Sequence, residues 1–393
     1  MMQRFSPEFD LVALCCRHDD PAVPARLDAT DWETIDVSRV VRIARRHRVE
    51  ALVAQSLSKT EAAGEIALSP LVERARATAI DSLRLARSAC LLGAQLDAAG
   101  IDWISIKGPA IAQLAYRSTA IKASRDLDIL VSPSQFAAVF TLLADHGYQR
   151  VEPGPEVSAA QLATWMHHYK DCAWHHPASG MLVEVHGRLF ANRLLMPSIG
   201  LNSPRQQVAL PGIGTLPTLA TAPLYAYLAG HGAVSTWSRL KWLADIAALL
   251  RPLGPGALAE LHADAALLGG GRCSAQALLL AERVLGLQLP DGMAAALRRA
   301  PAVHRLEQLA LAAMKGRNET EEVDWSGFAT FPGQAAHLLL GGSWRFVGAE
   351  IAQKFANPAD RAREVLPTWA SGMYPLLAAS RYLGRRIMRR ERA

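Results

Sequence analysis

The stretch Ile104–Val131, ISIKGPAIAQLAYRSTAIKASRDLDILV, decides the fold class. With Trp103 before it, Ile104-Ser105-Ile106 reads as a short buried strand. Lys107-Gly108-Pro109 reads as a turn with proline at a first helical position, and Ala110 to Tyr116 as a helix. In SRDLDILV charge alternates with aliphatic side chains, the period-two signature of a strand with one buried face. Ser132-Pro133 then predicts a helix running to Gly147. The order is strand, helix, strand, helix.

Outward from this stretch, two further strands are expected, His168 to Trp174 and Met181 to Leu189, joined as a hairpin by the turn Pro177-Ala178-Ser179-Gly180. From Leu11 to Gly100 apolar residues recur at helical spacing, with Asp31 and Asp36 as helix N-caps and Gly100 closing the last helix. The pattern is helical again from Thr218, most clearly in LYAYLAGH, RLKWLADIAALL and AQALLLAERVLGL. The expected class is α+β: a small mixed β-sheet core flanked by N-terminal and C-terminal helical regions. Its divisions are 1–100 (helical), 101–200 (core) and 201–393 (helical with a basic tail).

A chain of 393 residues, half of them hydrophobic, is long enough for two or three packed units and lacks the composition of a disordered chain. The formal net charge is +6, but the tail from Arg381 to Ala393 alone holds six Arg and one Glu. The rest is nearly neutral, so charge gives no reason to read the main body as a nucleic-acid binder; the tail is the one segment suited to an acidic partner. Five cysteines without CxxC pairing argue against a disulfide framework or a zinc ribbon. No signal-peptide core or long apolar run is seen, so a cytoplasmic protein without a transmembrane segment is expected.

Candidate chemistry begins with Asp126 and Asp128, which project to one side of their strand with alpha carbons ~7 Å apart. Two ionised carboxylates that close repel each other and are best tolerated when cations sit between them. In MLVEVHGRL, Leu182, Glu184 and His186 share a face, so Glu184 can meet the aspartates from a neighbouring strand. Three carboxylates suit Mg²⁺, with Mn²⁺ as the alternative ion, and two such ions would clamp the attacking and leaving oxygens of a phosphoryl transfer. Lys107 and Gly108 lie between a strand and a helix, where backbone amides attract phosphate. The His167, His168, Cys172, His175 and His176 run does not read as zinc-binding, because ligands on one face of an extended segment would stand ~13 Å apart.

These segments, ISIKGPAIAQLAYRSTAIKASRDLDILV followed by VEVHGRL, resemble the uncharacterised bacterial nucleotidyltransferase family, a branch of the polymerase-beta-like nucleotidyltransferase superfamily. The likeness covers roughly Trp103 to Leu189, with weaker echoes in RLKWLADIAALL and in Arg46-His47-Arg48-Val49. It implies that Asp126, Asp128 and Glu184 are catalytic and hold metal, and that Lys107-Gly108 is the nucleotide turn. Lys122 stands where the branch tends to have Arg, and Glu184 where it often has Asp. His186 beside Glu184 is a candidate nucleotide contact. Of His231, Arg239, Lys241 and Asp245, a subset is expected to reach over the nucleotide, with Arg239 foremost, since residues two apart on a helix cannot face the same way.

The implied activity is metal-dependent transfer of a nucleoside monophosphate from an NTP, ATP among them, to an unidentified small-molecule, peptide or RNA acceptor, with release of pyrophosphate. Two rivals differ in class: an inactive nucleotide- or RNA-binding module of the same fold, and a DxD glycosyltransferase. The intact acidic positions argue against the first. The helical texture before Gly100 argues against the second.

Overall fold

The computed structural model describes residues 5–60, 69–322 and 331–354, together with Met373. The Arg-rich tail lies outside the described residues.

Strand β1, Trp103–Ser105, leads through the Lys107-Gly108 turn into the helix Pro109–Tyr116, and β2, Asp126–Val131, follows. Next come the helix Phe136–Asp145, β3 at Gln149–Glu152, the helix Ala159–His168, β4 at Asp171–His176 and β5 at Met181–His186. These strands form one five-stranded sheet ordered β1-β2-β5-β4-β3, in which only β2 and β5 are parallel. The α+β expectation with a small mixed sheet is met.

Three details differ from the sequence reading. His168 does not begin a strand; it ends the helix Ala159–His168, which opens on a capping box in which Ser158 and Gln161 satisfy each other's backbone N–H groups. The edge strand β3 was not anticipated, because QRVE is short and largely exposed and shows no apolar alternation. A separate hairpin, β6 at Arg205–Leu210 and β7 at Gly214–Leu219, also went unread, and it delays the helical pattern to the helix Thr221–Val234. Pro217 inside β7 hides that strand from periodicity.

The sheet has two different faces. Leu127, Ile129, Val131, Val183 and Val185 enter one apolar cluster with the helices Ser69–Ala98, Phe136–Asp145 and Ala159–His168. Full burial of Ile129 or Val185 stabilises by about 1.5–3 kcal/mol each, and it fixes the strand register that places the polar face. The opposite face carries Asp126, Asp128, Glu184 and His186, while Leu130 joins a second cluster. That cluster unites the early helices Pro7–Cys15 and Val37–His47 with the late helices Thr221–Val234, Leu240–Leu250 and Gly271–Leu285.

Polar links bind these segments. The side chain of Asp36 caps Val37–His47 by accepting the Arg39 N–H at 3.0 Å. Buried His47 accepts the Leu240 N–H through Nδ1 at 2.9 Å, tying that helix to the start of Leu240–Leu250. Arg46 donates to the carbonyls of Ala313 at 2.9 Å and Glu321 at 2.7 Å. No helix among the described residues is long and apolar enough to cross a membrane.

Candidate metal and nucleotide site

Because β2 and β5 are parallel and in register, Asp128 pairs with Glu184 and Leu130 with His186. Across the antiparallel β4–β5 pair, Asp171 stands opposite His186. His186 Nε2 lies 3.0 Å from Asp128 Oδ1, 3.4 Å from Glu184 Oε2 and 3.9 Å from Asp171 Oδ2. A nitrogen facing three carboxylates carries its hydrogen there, so Nε2–H donates to Asp128. On the other side of the same oxygen, Lys107 Nζ is 2.6 Å from Asp128 Oδ1.

Charge and burial are finely opposed around Asp128, whose side chain is only 1% exposed. Burial pushes its carboxyl upward, but Lys107 and the hydrogen bond from His186 outweigh burial and hold it well below the usual carboxylate range. Lys107 answers in kind: burial disfavours its charge, yet Asp128 raises its pKa above the ordinary lysine value. For Asp126, burial and the neighbouring charge of Asp128 both push the carboxyl up, with only partial relief from Lys107. The two aspartates of one motif are thus tuned in opposite directions.

The ligand atoms of Asp128, Glu184 and His186 all lie within 4.8 Å of one another, a spacing one divalent ion can bridge. Asp126 stands outside this tight group, two residues earlier on the same face, and no member comes from the His167–His176 run. Two features fit a cation. With His186 Nε2–H given to Asp128, the available donors are the hard carboxylate oxygens of Asp128 and Glu184, a set suited to Mg²⁺ or Mn²⁺. Moreover, Asp128 Oδ2 is buried and has no hydrogen-bond donor among the described residues, an expensive state for a carboxylate oxygen without a ligand.

The Lys107-Gly108 turn lies where the aspartates need it. Gly108 takes φ 75° and ψ −136°, a region that only glycine adopts readily, and so turns the chain into the helix Pro109–Tyr116. Its alpha carbon also sits close to the backbone of Asp126, so that an added Cβ would come within 3.5 Å of the Asp126 carbonyl oxygen. Right after His186, a Cβ on Gly187 would meet the Phe136 ring at 2.4 Å, so a larger residue there would oblige that ring to shift.

A family model of uncharacterised nucleotidyltransferases matches residues 33–286. The chain belongs to that family. No curated protein matches it.

In this nucleotidyltransferase-family chain, the remaining candidates have partners of their own. Lys122 Nζ is 2.6 Å from Asp245 Oδ2, and Asp245 Oδ1 also accepts from Tyr116 at 2.9 Å. Arg239 pairs with Glu322 and stacks over Trp242 at 5.9 Å. His186, 1% exposed, is enclosed by carboxylates.

Sequence reasoning missed Asp171, which joins the carboxylates around His186 and contacts Lys170. It also missed Tyr227, a buried neighbour whose hydroxyl burial pushes upward and which feels Lys107, Asp128 and Glu184. The helix Thr221–Val234, which holds Tyr227, also carries His231, a candidate of the sequence reading, whose ring is held well below its ordinary pKa by burial and by Lys107. The signal for Asp171 was its place in the hairpin opposite His186; for Tyr227 no local signal existed.

Proposed function

We propose that the protein is a divalent-metal-dependent nucleotidyltransferase that moves a nucleoside monophosphate from an NTP to an acceptor hydroxyl, phosphate or similar oxygen. The acceptor oxygen forms a bond to the α-phosphorus, the bond from that phosphorus to the α,β-bridging oxygen breaks, and pyrophosphate leaves. A hydroxyl acceptor's proton passes to water.

The observation that carries this reading is Asp128: a buried carboxylate facing Glu184 across parallel strands, with one oxygen held by Lys107 and His186 and the other without a donor among the described residues. In the proposed roles, Asp126, Asp128 and Glu184 hold the metal ions. His186 orients Asp128 from beneath. Lys107 balances the Asp128 charge before substrate arrives, and with Gly108 it faces the phosphates at the start of the helix Pro109–Tyr116. Bound there, Mg²⁺ or Mn²⁺ supplies charge neutralisation for the transferring phosphoryl oxygens and acidifies the attacking hydroxyl.

Glu184 is the most open of the clustered ligands, with 26% of its side chain exposed against 1% for Asp128 and His186. Solvent, and therefore acceptor, reaches the centre from its side. Family membership supports the class of reaction. Purified protein incubated with α-³²P-labelled NTPs, Mg²⁺ or Mn²⁺ and cell extract tests it. Label should pass to an acceptor with wild type and be lost in Asp128→Ala; equal transfer by wild type and by the double variant Asp126→Ala, Asp128→Ala would sink the proposal.

A further inference from the structure

A cavity of about 910 Å³ begins one residue after His186, and none of the clustered carboxylates lines it. Two of its walls are the helices Phe136–Asp145 and Ala159–His168, and the third is the segment 187–199. That volume falls within the ~300–1,000 Å³ of sites that enclose a small organic ligand.

The apolar walls are held apart by contacts made elsewhere. Phe136 stacks on Phe140 with ring centroids 5.7 Å apart, and Phe140 leans on Trp174 at 5.4 Å. On the third wall Phe190 packs on Tyr227 at 5.7 Å. Phe190 and Met196 also press on Gly230, where an added Cβ would meet them at 2.5 and 2.7 Å. These side chains cannot swing inward to fill the space without giving up packed contacts. Phe136, Phe140 and Leu162 are left only partly buried by the protein itself, so an apolar ligand gains by covering them.

The charge around this apolar space has one sign. Arg188 and Arg193 line it, and no Asp or Glu does. Arg188 donates to the carbonyls of Met166, His167 and His168 at 3.4, 3.3 and 2.5 Å, and Arg193 donates to that of His167. These bonds close the C-terminal end of the helix Ala159–His168 and hold the two guanidinium groups beside each other. A helix end carries only about half a negative charge against two full positive ones, so the rim stays positive. Asp171 attracts Arg188 but bonds to Lys170, and among the described residues no carboxylate comes within ion-pairing distance of either arginine. Burial, then the charge of Arg193, lower the Arg188 pKa to about 10 against the pull of Asp171. Arg193 is exposed, and its planar fork matches a carboxylate in two parallel hydrogen bonds.

We infer that the cavity binds a single-chain carboxylic acid, its hydrocarbon lying between Phe140, Leu162 and Met196 and its carboxylate resting on Arg193 with Arg188 behind. Hydrocarbon suits these walls better than peptide. Helical backbone has already spent its hydrogen bonds, so the amides of a peptide would find few partners there. Gln353 donates to the Ala191 carbonyl, which brings the chain past Lys354 close to the cavity, but the Arg-rich end of that chain would meet two more arginines.

Calorimetric titrations of the full-length protein with dodecanoate, dodecyltrimethylammonium and hexanoate, all below micelle-forming concentrations, test the assignment. Dodecanoate should bind at one site per chain. The cation of equal chain length should bind at least tenfold more weakly, and hexanoate at least a hundredfold more weakly. Arg193→Gln should weaken dodecanoate about tenfold without weakening the cation. Ala163→Trp and Ala137→Trp, at exposed positions on the two facing helices, fill the space and should each weaken dodecanoate tenfold or more. Circular dichroism verifies that the variants fold, and either tryptophan variant suffices if the other does not.

Equal affinity for dodecanoate and the cation would overturn the inference, as would several bound molecules per chain or unchanged dodecanoate affinity in the folded tryptophan variants. Failure of the full-length protein to bind dodecanoate would overturn it too, leaving the cavity to the chain's own C-terminal segment or to a second copy. No nucleotide enters these titrations, so their outcome is independent of nucleotidyl transfer.

Discussion

Asp128 of β2 and Glu184 of β5 are register partners across the one parallel strand pair of the sheet. Neighbouring strands lie ~4.8 Å apart, so this pairing brings two carboxylates from segments more than fifty residues apart within reach of one ion. An antiparallel partner in the same Asp128–Glu184 register would have set His186 opposite Asp126 instead of Leu130. The topology is what makes a sequence motif into a site.

The opposite tuning of the two aspartates predicts opposite stability effects. Asp128 has a depressed folded pKa, so its stabilising contribution is present above the ordinary carboxylate range and is lost as pH falls through the folded value. Asp126 has a raised one, so it costs stability above its folded value, and the cost disappears in acid. At pH 7 without metal, Asp128→Asn should lower Tm and Asp126→Asn should raise it; thermal scans from pH 3 to 8 check this, and shifts of the same sign would contradict it.

Lys107 is the partner whose loss should hurt most. Its ammonium and Asp128 form a largely buried pair at 2.6 Å, with exposures of 20% and 1%. Lys107→Met leaves the carboxylate poorly compensated, at a cost of about 3 kcal/mol in unfolding free energy. Divalent cation should return part of that loss, since it would supply the missing charge. Urea titrations with EDTA and with Mn²⁺ measure both effects, and an equally stable variant in EDTA would contradict the pairing.

Lys241 should leave a signature in the alkaline range. With a folded value of about 7, its amine gives up in the native state a proton that the unfolded chain keeps up to its ordinary lysine pKa. Stability contributed at this position therefore rises with pH through that window, and the penalty is full below about pH 7. Lys241→Met should be more stable than wild type at pH 6, by about 2 °C in Tm or more, with the gap narrowing toward pH 10. A gap that does not change with pH would show that Lys241 keeps its proton. Burial sets this behaviour first, followed by the charges of Lys122, Asp245, Arg48 and Asp126.

What the sequence made legible is local. SRDLDILV alternates over Asp126–Ile129 and MLVEVH over Val183–His186, so each strand and its polar face could be read without neighbours, and the strand-turn-helix around Lys107-Gly108 carried its own turn chemistry. The short, mostly polar β3 and the proline-containing β7 lack that periodicity and are strands only because a neighbour pairs with them. The same holds within the site. Lys107 with Asp128, Lys122 with Asp245 and Arg239 with Glu322 are pairings across 21 to 123 positions, and nothing in local spacing selects them.

Gly108→Ala tests the nucleotide turn. A side chain at φ 75° and ψ −136° is strained by about 1–3 kcal/mol, and relaxing it would move the start of the helix Pro109–Tyr116. The variant should lose stability by about that amount and bind ATP more weakly while keeping its Mn²⁺ affinity. Unchanged ATP binding in a folded Gly108→Ala protein would remove the turn from the nucleotide site.

The central claim, that metal and nucleotide meet on the Asp126–Asp128–Glu184 face, is tested most directly by a crystal structure of the protein with Mn²⁺ and a non-hydrolysable NTP, located by anomalous scattering. The account predicts a manganese peak ~2.2 Å from carboxylate oxygens of Asp128 and Glu184, with Lys107 turned from Asp128 toward phosphate. Manganese bound elsewhere, or phosphates lying off this face of the sheet, would contradict it.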